Sequence, residues 1–455
     1  MLGRDQGHFR RAEVTSAAIS TGGFQFVAAG AILAGAYALI VFEHINRAVV
    51  ALLGAGLVVI LGLLSQGDAI RSIDFNTLGL LAGMMLIVSV AMKSGLFSYL
   101  AIRAAQMVRA SPAGILAAFA LVTAILSAFV NNVTIISLTV PVTFILCGEL
   151  RLSVYPFLMV EILASNIGGT ATLIGDPPNI LIGTATGLSF NAFAMNLAPI
   201  ILFILGLQIA ACHFIWGIKL SAAPHDRARI MNIKASEAIE DRYLLLCSVA
   251  IIVSVVSALV VSDTLRLEPA TIAVFGAALL LLLRNLPHAR ETHGENVAQA
   301  FGDVDWTTLF FLTGLFVMIG GIAHAGVLKV LGGFLLAAAG HDSRLAASLV
   351  LWLSAALSSI VDNVPYVAAM IPLLKGLGPS LGGGHGLAPI WWSLALGAGL
   401  GGNGTLIGAS ANLTAAALAE RNGVRFSFLA FTLAALPLML ASIVVANLYI
   451  AWRYF

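Results

Sequence analysis

The sequence predicts an all-α polytopic membrane protein built as an inverted repeat, with about ten transmembrane helices, two re-entrant hairpins and two broken helices. Composition is the first reason. Of the 455 residues, 60% are hydrophobic and only 10% charged, and the mean hydropathy is +1.01. A soluble domain carries roughly 25% charged residues, so this chain belongs in a bilayer. The second reason is duplication. Ser127-Ala-Phe-Val-Asn-Asn-Val133 and Asn166-Ile-Gly-Gly-Thr-Ala-Thr-Leu-Ile-Gly-Asp-Pro-Pro-Asn179 recur as Ser358-Ser-Ile-Val-Asp-Asn-Val364 and Gly399-Leu-Gly-Gly-Asn-Gly-Thr-Leu-Ile-Gly-Ala-Ser-Ala-Asn412. Asp74, Gly83, Gly95 and Asn132 map onto Asp305, Gly314, Gly326 and Asn363 at a spacing of 231 residues, and Thr172, Gly175 and Asn179 onto Thr405, Gly408 and Asn412 at 233. Polar interruptions at matching places in two hydrophobic halves point to a secondary transporter with its site at the repeat interface.

Apolar stretches long enough to cross, at about 20 residues each, lie near 24–42, 47–65, 76–94, 190–217, 243–263, 267–285, 307–323 and 427–451. The first of these is expected to direct insertion, since no apolar run of signal-peptide length precedes it. Residues 113–147 and 345–375 are long hydrophobic stretches broken by Asn131-Asn132 and Asp362-Asn363. Unpaired backbone at membrane depth must be covered by protein or line a cavity, so both read as helical hairpins with these pairs at their tips. Residues 153–188 and 388–422 read as crossing helices unwound in the middle, and 97–110, too polar to span, as an interfacial amphipathic helix. Five crossings per repeat is an odd number, which requires the second copy to be inverted. The resulting organisation is an N-terminal tail (1–23), a first repeat (24–218), a linker (219–242) and a second repeat (243–455). Lys219, Arg227, Arg229, Lys234 and Arg242 mark the linker as cytoplasmic under the positive-inside rule. Both termini are then expected outside. The Gly382-Gly-Gly-His-Gly386 run lacks the Gly-Lys-Ser/Thr ending of a phosphate loop and reads as a flexible connection.

A helix broken within the bilayer exposes amides at one end and carbonyls at the other, whose dipoles bind ions or oxygen-bearing solutes without a full charge. Asn131, Asn132, Thr134, Asn166, Thr170, Thr172, Asn179, Asn363, Asn403, Thr405, Ser410 and Asn412 add donors and acceptors around those ends, with Gly168 and Gly169 at the first break. They form the expected solute-binding set. Carboxylates are few and costly at membrane depth, and Asp362, Asp176 and Glu161 are the candidates for proton coupling. Asn131 stands in the repeat position of Asp362 and Ala409 in that of Asp176, so each acid is present in one half only, as a coupling role would have it. Asp74 and Asp305, just before spans, read as helix caps, and Lys93 and His324, at span ends, as snorkelling residues. Cys147, Cys212 and Cys247 are far apart among apolar residues; neither a disulfide framework nor a metal site nor a cofactor motif is written here. A net charge of +2 points to no nucleic-acid partner.

At Phe129-Val-Asn-Asn-Val-Thr134 and Asn166 to Asn179, with its Gly-Asp-Pro-Pro-Asn signature, and again at Glu43-His-Ile-Asn-Arg47, the chain resembles the arsenite permease, P protein and NhaD-type antiporter group of the ion transporter superfamily. The resemblance implies a scaffold domain and a transport domain of two hairpins and two broken helices, often dimeric and moving by an elevator-like displacement. It places the substrate between the tips at Asn131-Asn132 and Asp362-Asn363 and the loops at Gly168 to Asn179 and Gly401 to Asn412. Where P-protein-like members have Asp-Asn at the first tip, this chain has Asn131-Asn132, which argues against a direct cation site there.

Relatives in that superfamily carry arsenite or antimonite, silicic acid, sodium in exchange for protons, or dicarboxylates. Neither tip and neither break contains a Lys or Arg, so a neutral hydroxylated solute is favoured: arsenite efflux in exchange for protons, through a protein of the bacterial inner membrane. Sodium/proton exchange is the alternative; silicic acid or organic anion transport and a channel are more distant ones. An enzyme is not expected, because Ser, His and Asp show no catalytic spacing.

Overall fold

The computed structural model describes residues 23–40, 45–287, 290–326, 342–377 and 384–455. The N-terminal tail before Gly23, Glu43 and His44 of the family-like motif, and the start of the Gly382 to Gly386 run lie outside the described residues. Among the described residues there is no strand.

The first repeat is formed by α1 (Gly23–Ile40), α2 (Arg47–Ile60), α3 (Gln66–Ser72), α4 (Phe75–Met92), α5 (Leu96–Met107), α6 (Pro112–Ser127), α7 (Asn132–Leu150), α8 (Tyr155–Gly169), α9 (Pro177–Thr186) and α10 (Phe190–Ile215). The linker holds α11 (Pro224–Asn232). The second repeat follows with α12 (Arg242–Val260), α13 (Ser262–Leu265), α14 (Pro269–Asn285), α15 (Arg290–Gly302), α16 (Trp306–His324), α17 (Ser343–Ser358), α18 (Asn363–Leu377), α19 (Gly384–Gly401), α20 (Ser410–Arg421) and α21 (Phe428–Tyr454). Helix starts are written locally. The side chains of Asn46, Asp241 and Asp342 each accept a backbone N–H of the first turn they precede, and Pro112, Pro177 and Pro269 occupy first-turn positions where no N–H is needed. Hairpins α6/α7 and α17/α18 and broken pairs α8/α9 and α19/α20 fall at the expected places.

Two compact units are present. The smaller contains α1, α2, α3 and α16; the larger contains the remaining helices, apart from the part of α18 after Val367. In the smaller unit α2 lies against α16, where a Cβ on Gly314 would come 2.5 Å from the Ala51 carbonyl carbon. In the larger unit α4 lies against α14 in the same way, with a Cβ on Gly83 2.7 Å from that of Ala273. Gly83 and Gly314 are repeat equivalents, so one close helix contact of the kind that small residues permit in membranes is made twice.

Three features depart from the sequence reading. Helices α3 and α15 lie in stretches too polar and short to register as spans. The first of them is nonetheless signalled by Ser65-x-x-Asp68: the Ser65 hydroxyl accepts from the Asp68 N–H at 3.1 Å and donates to the Asp68 carboxylate at 2.6 Å. Lys93 does not simply snorkel but pairs with Asp303 at 3.2 Å, and Ser89 donates to the same carboxylate at 2.9 Å. The linker is no free loop: Gln106 of α5 donates to the carbonyls of Ile230 and Ile233 at 3.3 and 2.7 Å, and Arg227 donates to the Arg109 carbonyl at 2.9 Å.

Candidate functional site

The polar residues of both repeats meet in the larger unit. Each broken helix is pinned to its hairpin by close backbone approach: a Cβ on Gly168 would come 2.1 Å from the Ala124 carbonyl oxygen of α6, and one on Gly401 2.7 Å from Ala355 of α17. Ser127 donates to the Ser165 carbonyl and Ser358 to the Ala398 carbonyl, both at 2.7 Å. Thr172 then donates to the Ala128 carbonyl and Thr405 to that of Ser359, which ties each unwound loop to its hairpin. Asn179 donates to the Thr170 and Thr172 carbonyls at 3.1 and 2.8 Å, and its equivalent Asn412 to the Gly402 and Thr405 carbonyls at 2.8 and 2.9 Å. These amides act as staples: carbonyls freed by unwinding are satisfied by a side chain instead of water.

Asn166 joins the two halves. Its carbonyl oxygen accepts from Asn132 at 3.0 Å, while its amide donates to Asn403 at 2.8 Å and Asn412 at 2.9 Å. Asn403 in turn donates to the Leu163 carbonyl at 3.2 Å. Thr170 donates back to the Asn166 carbonyl of its own helix at 2.8 Å. The repeat position of Asn166 is Gly399, where a Cβ would fall 2.1 Å from the Thr170 hydroxyl; the missing side chain makes room for Thr170.

The second tip is built differently. Asp362 accepts from the Val364 N–H at 3.1 Å, capping α18, and its other oxygen accepts from the Ser410 hydroxyl of α20 at 2.5 Å. Asn363 donates to Asp176 at 2.9 Å. Asp176 stands ahead of α9 without capping it by its side chain and lies within electrostatic reach of Asp362. Tip two and the first break thus share an acid pair. The equivalent at tip one is neutral: Asn131 only caps α7 through the Val133 N–H at 2.9 Å.

Burial divides the expected set. Asn132, Asn166, Thr170, Thr172, Asp176, Asn179, Asn363, Asn403 and Asn412 are buried, as are Gly168 and Gly169, and their polar atoms are largely spent on one another. Asn131, Thr134, Asp362, Thr405 and Ser410 are half-buried. Asn131 and Thr134 line a cavity of about 10 Å³ with Met84 and Ile174, room for about one water. Glu161 is buried as well but lies apart from that set, accepting from Thr143 at 2.6 Å elsewhere on α8. The sequence reading passed over Thr143, and over Ser127 and Ser358, although the two serines recur at the repeat spacing. Among the described residues no cluster of His, Cys, Asp and Glu could hold a metal ion.

Residues 37–397 match the citrate transporter family, CitMHS. The chain belongs to that family. Over 433 residues it is 39% identical to an uncharacterized transporter of Mycobacterium tuberculosis, covering 94% of this chain and 99% of the relative. It is 32% identical over 518 residues to the P protein of Mus musculus, covering 94% of this chain and 61% of that protein. The fold is similar to the crystal structure of the Alcanivorax borkumensis YdaH transporter, at a TM-score of 0.56 and 16% identity, with 88% of this chain and 89% of that one covered. This CitMHS member is therefore an integral membrane transporter of the ion transporter superfamily. Its polar centre carries two acids and no base at the tips or breaks.

Proposed function

We propose that this CitMHS member is a secondary transporter that expels a small neutral hydroxylated solute, arsenite in the first place, in exchange for protons. The observation that supports it is the character of the half-buried polar groups: Asn131, Thr134, Thr405 and Ser410 are amides and hydroxyls, Asp362 is the one charge among them, and no Lys or Arg accompanies them. Arsenous acid is uncharged near neutral pH and offers hydroxyls that both donate and accept. A free carboxylate substrate, by contrast, would meet Asp176 and Asp362 with no cation to offset them.

Asp362 carries the exchanged proton in this reading. Ionised, it accepts from Ser410 and so ties the second tip to α20. Protonation of that oxygen reverses the bond, the acid O–H now donating to the Ser410 hydroxyl, and takes the negative charge off the tip. That change in charge state biases the transport domain toward the opposite side in an elevator-like step. The buried amides hold the hairpins and broken helices together as one body during that movement. A second reading, sodium/proton exchange, is favoured by one feature: the Asp176 and Asp362 carboxylates and the Ser410 hydroxyl converge on one locus that a small cation would suit.

Inverted vesicles with an imposed pH gradient decide between them. Arsenite should accumulate only with the gradient, and sodium, silicic acid and citrate should not compete. Sodium uptake without arsenite uptake selects the second reading. Gradient-driven citrate uptake alone overturns both.

A further inference from the structure

Glu161 stands apart from the polar centre. It is fully enclosed on α8; one carboxylate oxygen accepts from the Thr143 hydroxyl of α7, and the other has no partner among the described residues. One turn before Thr143, the buried hydroxyl of Thr139 is also without a partner, and one turn beyond, Cys147 lies within electrostatic reach of Glu161. Residues four apart share a helix face, so these three side chains form one stripe on α7. The second repeat does not share it. At the same places the second repeat has Leu394 for Glu161, Leu374 for Thr143 and Met370 for Thr139.

No described ion pair reaches Glu161. Among the helices packed on α8, α6 holds no titratable residue, α7 holds Cys147 and Glu149, α10 holds Cys212 and His213, α19 holds His385, α20 holds Glu420 and Arg421, and α21 holds Tyr449, Arg453 and Tyr454. Glu149 is close to Arg229 of the linker. An enclosed carboxylate with one donor for two oxygens and no counter-charge is a costly anion. It calls for a positive ligand.

We propose that Glu161 binds an exchangeable proton of its own, in a site formed with Thr143 between the first hairpin and the first broken helix and separate from Asp362. The free oxygen takes the proton and the enclosed charge is removed, while Thr143 goes on donating to the other oxygen in both states. This rests on the proton-exchange reading above and adds a second protonatable group to it.

Infrared difference spectra of the full chain in lipid vesicles, taken without any solute, test the site independently of substrate identity. The parent should show a protonated-carboxyl band that weakens as pH is raised and is absent from Glu161→Gln. Thr143→Val, which removes the hydrogen bond to the other carboxyl oxygen, should keep the band but shift it to higher frequency, which a purely structural role would not do, and it preserves the test if Glu161→Gln does not fold. Sodium at constant pH should leave the band unchanged. In flux measurements Glu161→Gln should move one proton fewer per solute than the parent. A titrating band with flux that ignores the pH gradient would sink the exchange reading and keep the site. A parent band that never changes with pH, one identical in Glu161→Gln or Thr143→Val, or one abolished by sodium would overturn the proposal.

Discussion

Replacing Asn166 by alanine removes the side chain that links the two repeats. Three hydrogen bonds go with it, at 3.0, 2.8 and 2.9 Å, and each leaves a buried partner on Asn132, Asn403 or Asn412 unsatisfied. Side-chain hydrogen bonds measured inside membrane proteins average about 0.6 kcal/mol and reach about 1.7. Three of them therefore set an expected cost of roughly 2–5 kcal/mol. Asn363→Ala, which breaks the one described bond to Asp176, should cost about a third as much on the same scale. Equilibrium unfolding in mixed detergent micelles, with refolding checked, gives both values. Double-mutant cycles pairing Asn166→Ala with Asn132→Ala and with Asn412→Ala should return coupling of about 0.6–1.7 kcal/mol each. A cost below about 1 kcal/mol for Asn166→Ala, or coupling indistinguishable from zero, would refute the linking role.

Gly168→Val and Gly401→Val should sharply reduce the yield of folded protein, because each added side chain meets hairpin backbone at 2.1 or 2.7 Å; size-exclusion profiles of the purified variants read this directly. Lys93→Ala should change unfolding free energy by no more than about 1 kcal/mol, since both members of its pair with Asp303 are about a third exposed, at 34% and 35%; a larger loss would mean the contact bears more than a surface ion pair does. Asp362→Asn should leave solute binding measurable by equilibrium titration while flux exchanges one proton fewer per solute than in the parent. Single cysteines at residues 237 and 455, in a background without the native three, should react with an impermeant reagent from opposite faces of the membrane. Labelling from the same face would contradict an inverted second copy.

Most of the fold was legible because the membrane imposes coarse rules. Spans need long apolar runs, and the breaks at Asn131-Asn132, Asp362-Asn363 and the two Gly-rich motifs stand out against such a background. Duplication made each reading twice. Short polar helices such as α3 and α15 escaped because nothing in a span-length window registers them. The candidate site was legible as a set of residues and not as a geometry. Equal-looking asparagines at the tips and breaks have different tasks: Asn179 and Asn412 close off carbonyls within their own break, Asn166 crosses between halves, and Asn131 caps a helix. Spacing cannot separate these, because the distinction lies in which partner the other repeat presents. The same holds for Glu161, whose contact with Thr143 joins residues 18 apart on two consecutive helices.

The pairing of Asn166 with Gly399 has a consequence for the history of this chain. A duplicated gene begins with two identical halves, either of which could replace the other. Here one half carries an asparagine at this position and the other a glycine, and the space beside the glycine is filled by Thr170 from the opposite half. Two first halves brought together would force two asparagines into the middle; two second halves would supply neither the asparagine nor the threonine. The ancestral symmetry can no longer be restored by one substitution, and each half now constrains how its sibling is free to drift.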